Sequence, residues 1–303
     1  MKSDSLGAKK RMINAMWSVL LSIFTVAASP QGELISSAVQ QNGNTAQAKA
    51  ERVLKQAQEV TRIDLKNAEI KGLIVSAKGD GTFTLPERAL KARPQFRNKK
   101  FQETFDEELA ISLPDKIRYK INADHTFNQE ISEWIVNGNR SSQKTDVLVD
   151  GKPINAIFSS ANPKSEQEQI AQRKNSAFLT AFPITLDYSL YSPTEFRYIG
   201  VAEVKDVKTD VIDTTLSNGS TYRFFFDQQT HLLLLMIETR TDKETNKEVQ
   251  RKYFFSDYRR EEGLLVAHKI VTEENGEVIQ ETQIKRLQVN PTFKPDYFAV
   301  KGK

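Results

Sequence analysis

The chain's three histidines, His125, His231 and His268, are its first candidates for chemistry. They stand far apart, and no pair has the short spacing that puts two imidazoles on one metal ion. His231 opens an apolar run and His268 sits beside Lys269, so both read as strand-end residues. The chain contains no cysteine, which removes thiol nucleophiles, thiolate metal sites and disulfides. No Gly-x-Ser-x-Gly elbow, phosphate-binding glycine loop or dinucleotide fingerprint occurs. The acidic triplet Asp106-Glu107-Glu108 reads as a charged strand edge or turn, not as an acid–base pair. Asn139-Arg140-Ser141 and Asn218-Gly219-Ser220 match the glycosylation pattern, one that short sequences often meet by chance. Neither catalysis, a metal nor an organic cofactor is expected.

What the chain has instead is apolar surface in strand-length pieces. Between Ser217 and Phe255, Tyr222 to Phe226 and Leu232 to Ile237 form two such runs, and Tyr253-Phe254-Phe255 closes the stretch. Turn-forming residues bound each run, and each is too short for a helix. In a regular strand, Leu232, Leu234 and Met236 point one way and Leu233, Leu235 and Ile237 the other. Both faces are then apolar, whereas an open antiparallel sheet usually wets one of them. A second sheet, a helix or a ligand must cover the other.

Length and charge narrow the class. At 303 residues, 39% hydrophobic and 27% charged, the chain is a soluble globular type with ample core. Its formal net charge is +4, but Lys2, Lys9, Lys10 and Arg11 against Asp4 put most of it in the first few residues. The remainder is nearly neutral and carries no electrostatic footprint for nucleic acid. Charges alternate along Lys243, Glu244, Lys247, Glu248, Arg251 and Lys252, which predicts a solvated face.

Residues 1–28 read as an export signal, with a basic end, an apolar core from Met12 to Val26 and the small residues Val26-Ala27-Ala28. An uncleaved anchor is the alternative. Residues 29–44 read as a flexible linker and 45–303 as one domain. A first helix is expected from an Asn44 cap, with Ala50, Val53, Leu54, Ala57 and Val60 on one face. A second follows the Ser165/Glu168 capping-box spacing, carries Ile170, Ala177, Phe178 and Ala181 on one side, and is expected to end at Pro183. It lies in a long insertion, Phe158 to Tyr191, of the kind that forms lids. Phe178 and Phe182 then either line a site or complete the core. The basic stretch Leu85 to Lys100 is either a contact for anionic groups or a solvated loop. Asp80-Gly81, Asn137-Gly138, Asp150-Gly151, Asn218-Gly219 and Asn275-Gly276 recur through the strand regions, which favours an antiparallel meander over βαβ units.

Three stretches carry a family resemblance. Tyr222 to Asp227 followed by Thr230 to Leu235, Tyr253 to Tyr258 with Gly263-Leu264 and His268 to Ile270, and Val289-Asn290-Pro291 with Phe298 resemble the outer-membrane lipoprotein-sorting (Lol carrier-like) superfamily. The resemblance covers roughly Thr45 to Val300 and is most specific in the C-terminal third. It implies an α+β, mainly β fold: a strongly curved antiparallel sheet, an unclosed half-barrel, with an N-terminal helix and an inserted lid helix on the concave side. It also implies a periplasmic carrier or sensor of lipids or lipoproteins. Asp227, Asp257 and Gly263 would set turns, and Tyr258 and Phe298 would close the core. The family's ligand-handling arginine has no assigned counterpart here.

These readings converge on an exported, non-catalytic protein that shields lipid or lipoprotein acyl chains in a hydrophobic concavity. Trp134, Phe178, Phe182, Phe224 and Phe226 are the expected lining, and an envelope membrane protein is a further possible partner. The alternative is a periplasmic sensor that binds a partner protein and carries no lipid. An apolar cavity on the order of 300–1,000 Å³ favours the first, and a filled interior favours the second.

Overall fold

The computed structural model describes residues 43–62, 65, 69–84, 94–97, 99–126, 128–149, 151–154, 165–187, 195–216, 219–241 and 247–300. The stretch expected to be an export signal and most of the one expected to be a linker lie outside them, as does most of the basic stretch after Leu85. Helix α1 (Gly43–Thr61) leads into strands β1 (Gly72–Thr84), β2 (Lys100–Ser112), β3 (Lys116–His125), β4 (Asn128–Asn137), β5 (Arg140–Val149) and β6 (Lys152–Ile154). Helix α2 (Glu166–Thr185) intervenes. Strands β7 (Arg197–Val204), β8 (Val207–Thr215), β9 (Thr221–Asp227), β10 (Leu233–Thr241), β11 (Glu248–Glu261), β12 (Leu264–Glu274) and β13 (Glu277–Val289) complete the order.

All thirteen strands form one antiparallel sheet in the order β6-β5-β4-β3-β2-β1-β13-β12-β11-β10-β9-β8-β7. It is curved, open and mainly β, as the family resemblance implies. Every neighbour pair but one is consecutive in sequence. The exception joins the two ends of the domain, where Leu73 to Gly81 of β1 pair with Val289 to Gln280 of β13. Two meandering wings, β1–β6 and β7–β13, therefore meet along a single seam, and both helices lie on the inner side.

Turn chemistry explains most hairpins. Asn275 and Gly276 both take positive φ, at 54° and 79°, between the paired Glu274 and Glu277, as a two-residue primed turn requires. Lys205-Asp206 and Glu262-Gly263 do the same without the expected Asn-Gly signal. Asp80-Gly81 makes no turn: it lies inside β1, paired on both sides. The missing Cβ of Gly79 leaves room for the Phe105 ring and that of Gly81 for the Ile279 carbonyl, so the glycines of this segment serve close packing within the sheet. Asp257, expected to set a turn, takes φ 55° inside the long β11 and pairs with Arg259.

The run at Leu232 departs from regular alternation. A bulge between Leu233 and Leu235 places Leu233 opposite Phe226 and Leu235 opposite Phe225. Leu233 and Met236 thereby share the inner cluster, and Leu235 joins the outer one.

Helix α1 begins at Gly43, one residue before the Asn44 expected to cap it. Ser165 caps α2 as predicted: its Oγ accepts from Glu168 N–H at 3.2 Å while its own N–H donates to Glu168 Oε2 at 2.7 Å. Pro183 sits inside α2, which runs on to Thr185 and stops at Leu186 in the left-handed region. Burial of Ile184, Thr185 and Leu186 outweighs the lost proline donor.

Candidate binding face beneath helix α2

The inner face holds two apolar clusters, one on the β7–β13 side and one spanning the seam from β4 to β12, and α2 lies across both. On the β7–β13 side, Ala50, Val53, Leu54 and Ala57 of α1 and Phe178 and Phe182 of α2 pack on Ile212, Phe224, Phe226 and Met236. The ring centroids of Phe178 and Phe182 are 4.9 Å apart, Phe182 and Phe224 also 4.9 Å, and Phe178 and Tyr222 5.6 Å. On the other side, Ile170, Ala177, Ala181 and Ile184 of α2 meet Leu73, Val75, Leu109, Ile111, Ile117 and Val136.

Four of the five anticipated lining residues, Phe178, Phe182, Phe224 and Phe226, thus share one packed cluster and are exposed by no more than 1%. Trp134 stands apart on the β1–β6 wing. It stacks on Tyr119 at 5.2 Å beneath the Arg173 guanidinium, 5.7 Å away. An apolar cavity of about 20 Å³ lies where Ala181 and Thr185 meet Ile70, Leu73 and Ile111, room for no more than a water.

A larger space lies on the opposite face. It is an open trough of about 450 Å³ between two rows of side chains crossing β1–β5, including Glu108, Lys120 and Glu133 on one side and Lys78, Asp106 and Asp146 on the other. The triplet Asp106-Glu107-Glu108 is therefore neither edge nor turn. It runs through the middle of β2, with Asp106 and Glu108 in the outer walls. Glu107 is turned inward, where it accepts from Tyr119 Oη at 2.6 Å. Burial raises the Glu107 carboxyl pKa above its ordinary 4.5, opposed by the Tyr119 hydrogen bond.

The inner face also buries charge that alternation in sequence concealed. Tyr222 and Tyr253 both donate to Glu238, at 3.2 and 3.1 Å, and Arg251 binds Glu274 at 2.7 Å. Burial first, and Glu238 next in Tyr222, hold these phenols well above their ordinary value, so both stay donors. Lys247, Glu248 and Lys252 are exposed as the expected solvated face requires, but Arg251 is only 8% exposed: pairing across β11 and β12 carries it inside.

His125 ends β3 with its side chain 2% exposed, its ring nitrogens 3.4 and 3.8 Å from Glu103 and Glu130. His268 lies within β12, not at its end, facing Glu261 at 3.2 Å. Among the described residues no cluster of His, Asp and Glu has metal-binding geometry, and no helix is long and apolar enough to cross a membrane.

Side-chain hydrogen bonds fasten α2 at both ends. At its C-terminal end Arg62 donates to Thr185 O at 2.8 Å and meets Asp187 at 3.2 Å, while Gln58 donates to Leu186 O at 2.8 Å. At its N-terminal end Glu166 accepts from Ser141 N–H at 2.8 Å, and Arg173 donates to Ser142 O at 3.3 Å and Gln143 Oε1 at 3.1 Å. The C-terminal segment covers part of the other face: Phe298 packs with Ala110 and Ile135, and Tyr297 donates to Glu108 at 3.1 Å. Tyr258 ties β11 to β10 through Leu233 O.

Both helices therefore cover the inner-face clusters, α1 on the β7–β13 side and α2 across the two. No family model and no curated protein matches the chain. Among solved structures it is similar to a DUF1329 family protein from Desulfovibrio piger, with 12% identity, TM-score 0.43 and coverage of 84% of this chain and 97% of that one. It is also similar to a LolA superfamily protein from Nitrosomonas europaea, with 9% identity, TM-score 0.44 and coverage of 82% and 97%. A putative outer membrane lipoprotein-sorting protein domain from Vibrio parahaemolyticus gives 9% identity, TM-score 0.43 and the same coverage of 82% and 97%. At such values the functional reading rests on this chain's own geometry.

Proposed function

We propose that the chain is an exported, non-catalytic binding protein of the cell envelope, which shelters lipid or lipoprotein acyl chains on the inner face of its sheet when α2 lifts. The supporting observation is the roof: α2 spans both inner-face clusters, with α1 beside it over the β7–β13 one, and side-chain hydrogen bonds fasten its two ends. Lifting it uncovers Phe224, Phe226 and Trp134, and turns Phe178 and Phe182 of the helix toward the guest. Burying an acyl chain contributes about 0.8 kcal/mol per methylene. About a dozen methylenes then offset an association cost of about 4–15 kcal/mol. No polar recognition is needed.

Mass spectrometry of protein purified natively from an exporting host tests this reading and, through the mature N-terminus, the export signal and periplasmic location. A Gln143→Cys/Arg173→Cys pair bridged by a bis-maleimide would hold α2 down, in a chain with no competing thiol. Lipid in the unbridged protein and its loss on bridging are the expected results. No co-purified lipid and no uptake of a fluorescent acyl chain would end the proposal.

The filled interior favours a second reading, a sensor that binds a partner protein. Its apolar cavity of about 20 Å³ is far below ligand size, while the larger space is charged and faces outward. On that reading the bridge changes nothing.

A further inference from the structure

We infer that the edge of β5 is a strand-addition site for an extended segment of a partner protein, with Glu166 as its built-in competitor. In an antiparallel strand successive residues turn their amides to opposite sides. Ser141 donates its N–H to Glu166, away from β4, so Gln143 and Thr145 face the same way. Val147 and Val149 continue that side and pair with Ile154 and Lys152 of β6. Among the described residues, no strand meets β5 between Ser141 and Thr145. The gap spans about 14–17 Å, room for a short extended segment.

The other sheet edge is less suited to this. There a bulge between Tyr198 and Gly200 breaks the ladder of β7, a feature that blunts edges. On β5 the backbone is regular throughout its pairing with β4. Arg140 lies exposed on one face of it, so an acidic residue opposite it in the incoming strand is favoured, while Lys144 on the same face is already paired with Asp146 at 2.6 Å.

Glu166 is the first residue of α2, and its carboxylate sits where a partner carbonyl would accept from Ser141 N–H. Strand addition must evict it. The neighbouring ties of Arg173 are the longer ones, at 3.3 and 3.1 Å, whereas the C-terminal end keeps Arg62 and Gln58. Partner capture therefore loosens α2 from its N-terminal end. This coupling rests on the reading of α2 as a gate, whereas the edge site does not depend on lipid.

The test is selection of ten-residue peptides from a displayed random library against the native protein. Selected peptides should lose at least tenfold in Kd on Thr145→Pro, which deletes an edge donor where proline is tolerated. They should bind several-fold tighter to Glu166→Ala. They should also protect the Gln143 and Thr145 amides from hydrogen exchange while speeding exchange in the first turns of α2. Backbone N-methylation of the peptide repeats the test on the unaltered protein, should Thr145→Pro unfold. Binding indifferent to both changes overturns the inference, as does edge binding that leaves α2 exchange untouched. Self-association abolished by Thr145→Pro also overturns it, by giving the edge to a second copy. Absence of lipid from the same preparation would instead sink the carrier reading and leave these amide readouts standing.

Discussion

The two wings share one strand plan and hold it together differently. The β7–β13 wing fills its inner face with rings: Phe178, Phe182, Phe196, Tyr222 and Phe224 interlock, and α1 seals them. The β1–β6 wing has fewer rings on that face, with Glu107, His125 and Ser132 among Phe105, Ala123 and Leu109, while both wings bury polar groups, Glu238, Arg251 and Glu274 lying on the β7–β13 side. Large rings give much buried area for few rotatable bonds. Buried polar groups specify geometry but add little net stability. The β7–β13 wing is thus the richer in interlocked rings, and the β1–β6 wing holds the N-terminal end of α2 through Ser141, Ser142 and Gln143.

The largest test of that contrast is Phe182→Ala, which should cost about 3–5 kcal/mol in denaturant unfolding. Trp134→Ala on the half-buried opposite side should cost markedly less, and equal losses would erase the distinction. Next comes Gly79→Ala, whose new Cβ would lie 2.3 Å from the Phe105 ring and 2.6 Å from Glu281 O. About 1–3 kcal/mol is expected, with local exchange rising at the seam between β1 and β13.

Arg62→Ala should follow at about 1–2 kcal/mol, with faster exchange confined to the C-terminal turn of α2. A smaller effect is expected from pH. Because burial raises the Glu107 carboxyl above 4.5, the folded chain binds that proton more tightly than the unfolded one. Its contribution to stability is full below the unfolded value and is lost as pH rises through the folded one. Glu107→Gln should flatten that fall when Tm is followed upward from about pH 4; an unchanged profile would show that the carboxyl is not buried. Smallest is Lys78→Ala, whose pair with Asp106 is more than half exposed on both sides and should shift Tm by almost nothing.

Much of this was legible from local patterns. The α2 capping box, the α1 stripe, the Asn275-Gly276 turn and the aromatic strands each depend on a few adjacent residues. The candidate lining residues were less so. Phe178, Phe182, Phe224 and Phe226, expected as a lining, lie on the inner side in one packed cluster, and sequence could not say whether they face a hollow or one another. Glu238, Arg251 and Glu274 were hidden because alternating charge looks the same on a solvated strand and on one whose neighbours cover it.

By itself the sequence determined most turns and the helix cap, which follow from the conformational preferences of neighbouring residues, and the absence of thiol chemistry, which follows from composition. Tertiary structure alone decided which strands form the seam, that Asp80-Gly81 continues a strand, that Arg251 is buried and that α2 fills the hollow. Those outcomes depend on partners far away in the chain, such as Phe105 over Gly79 or Glu274 beside Arg251, and no local pattern encodes which distant surface arrives.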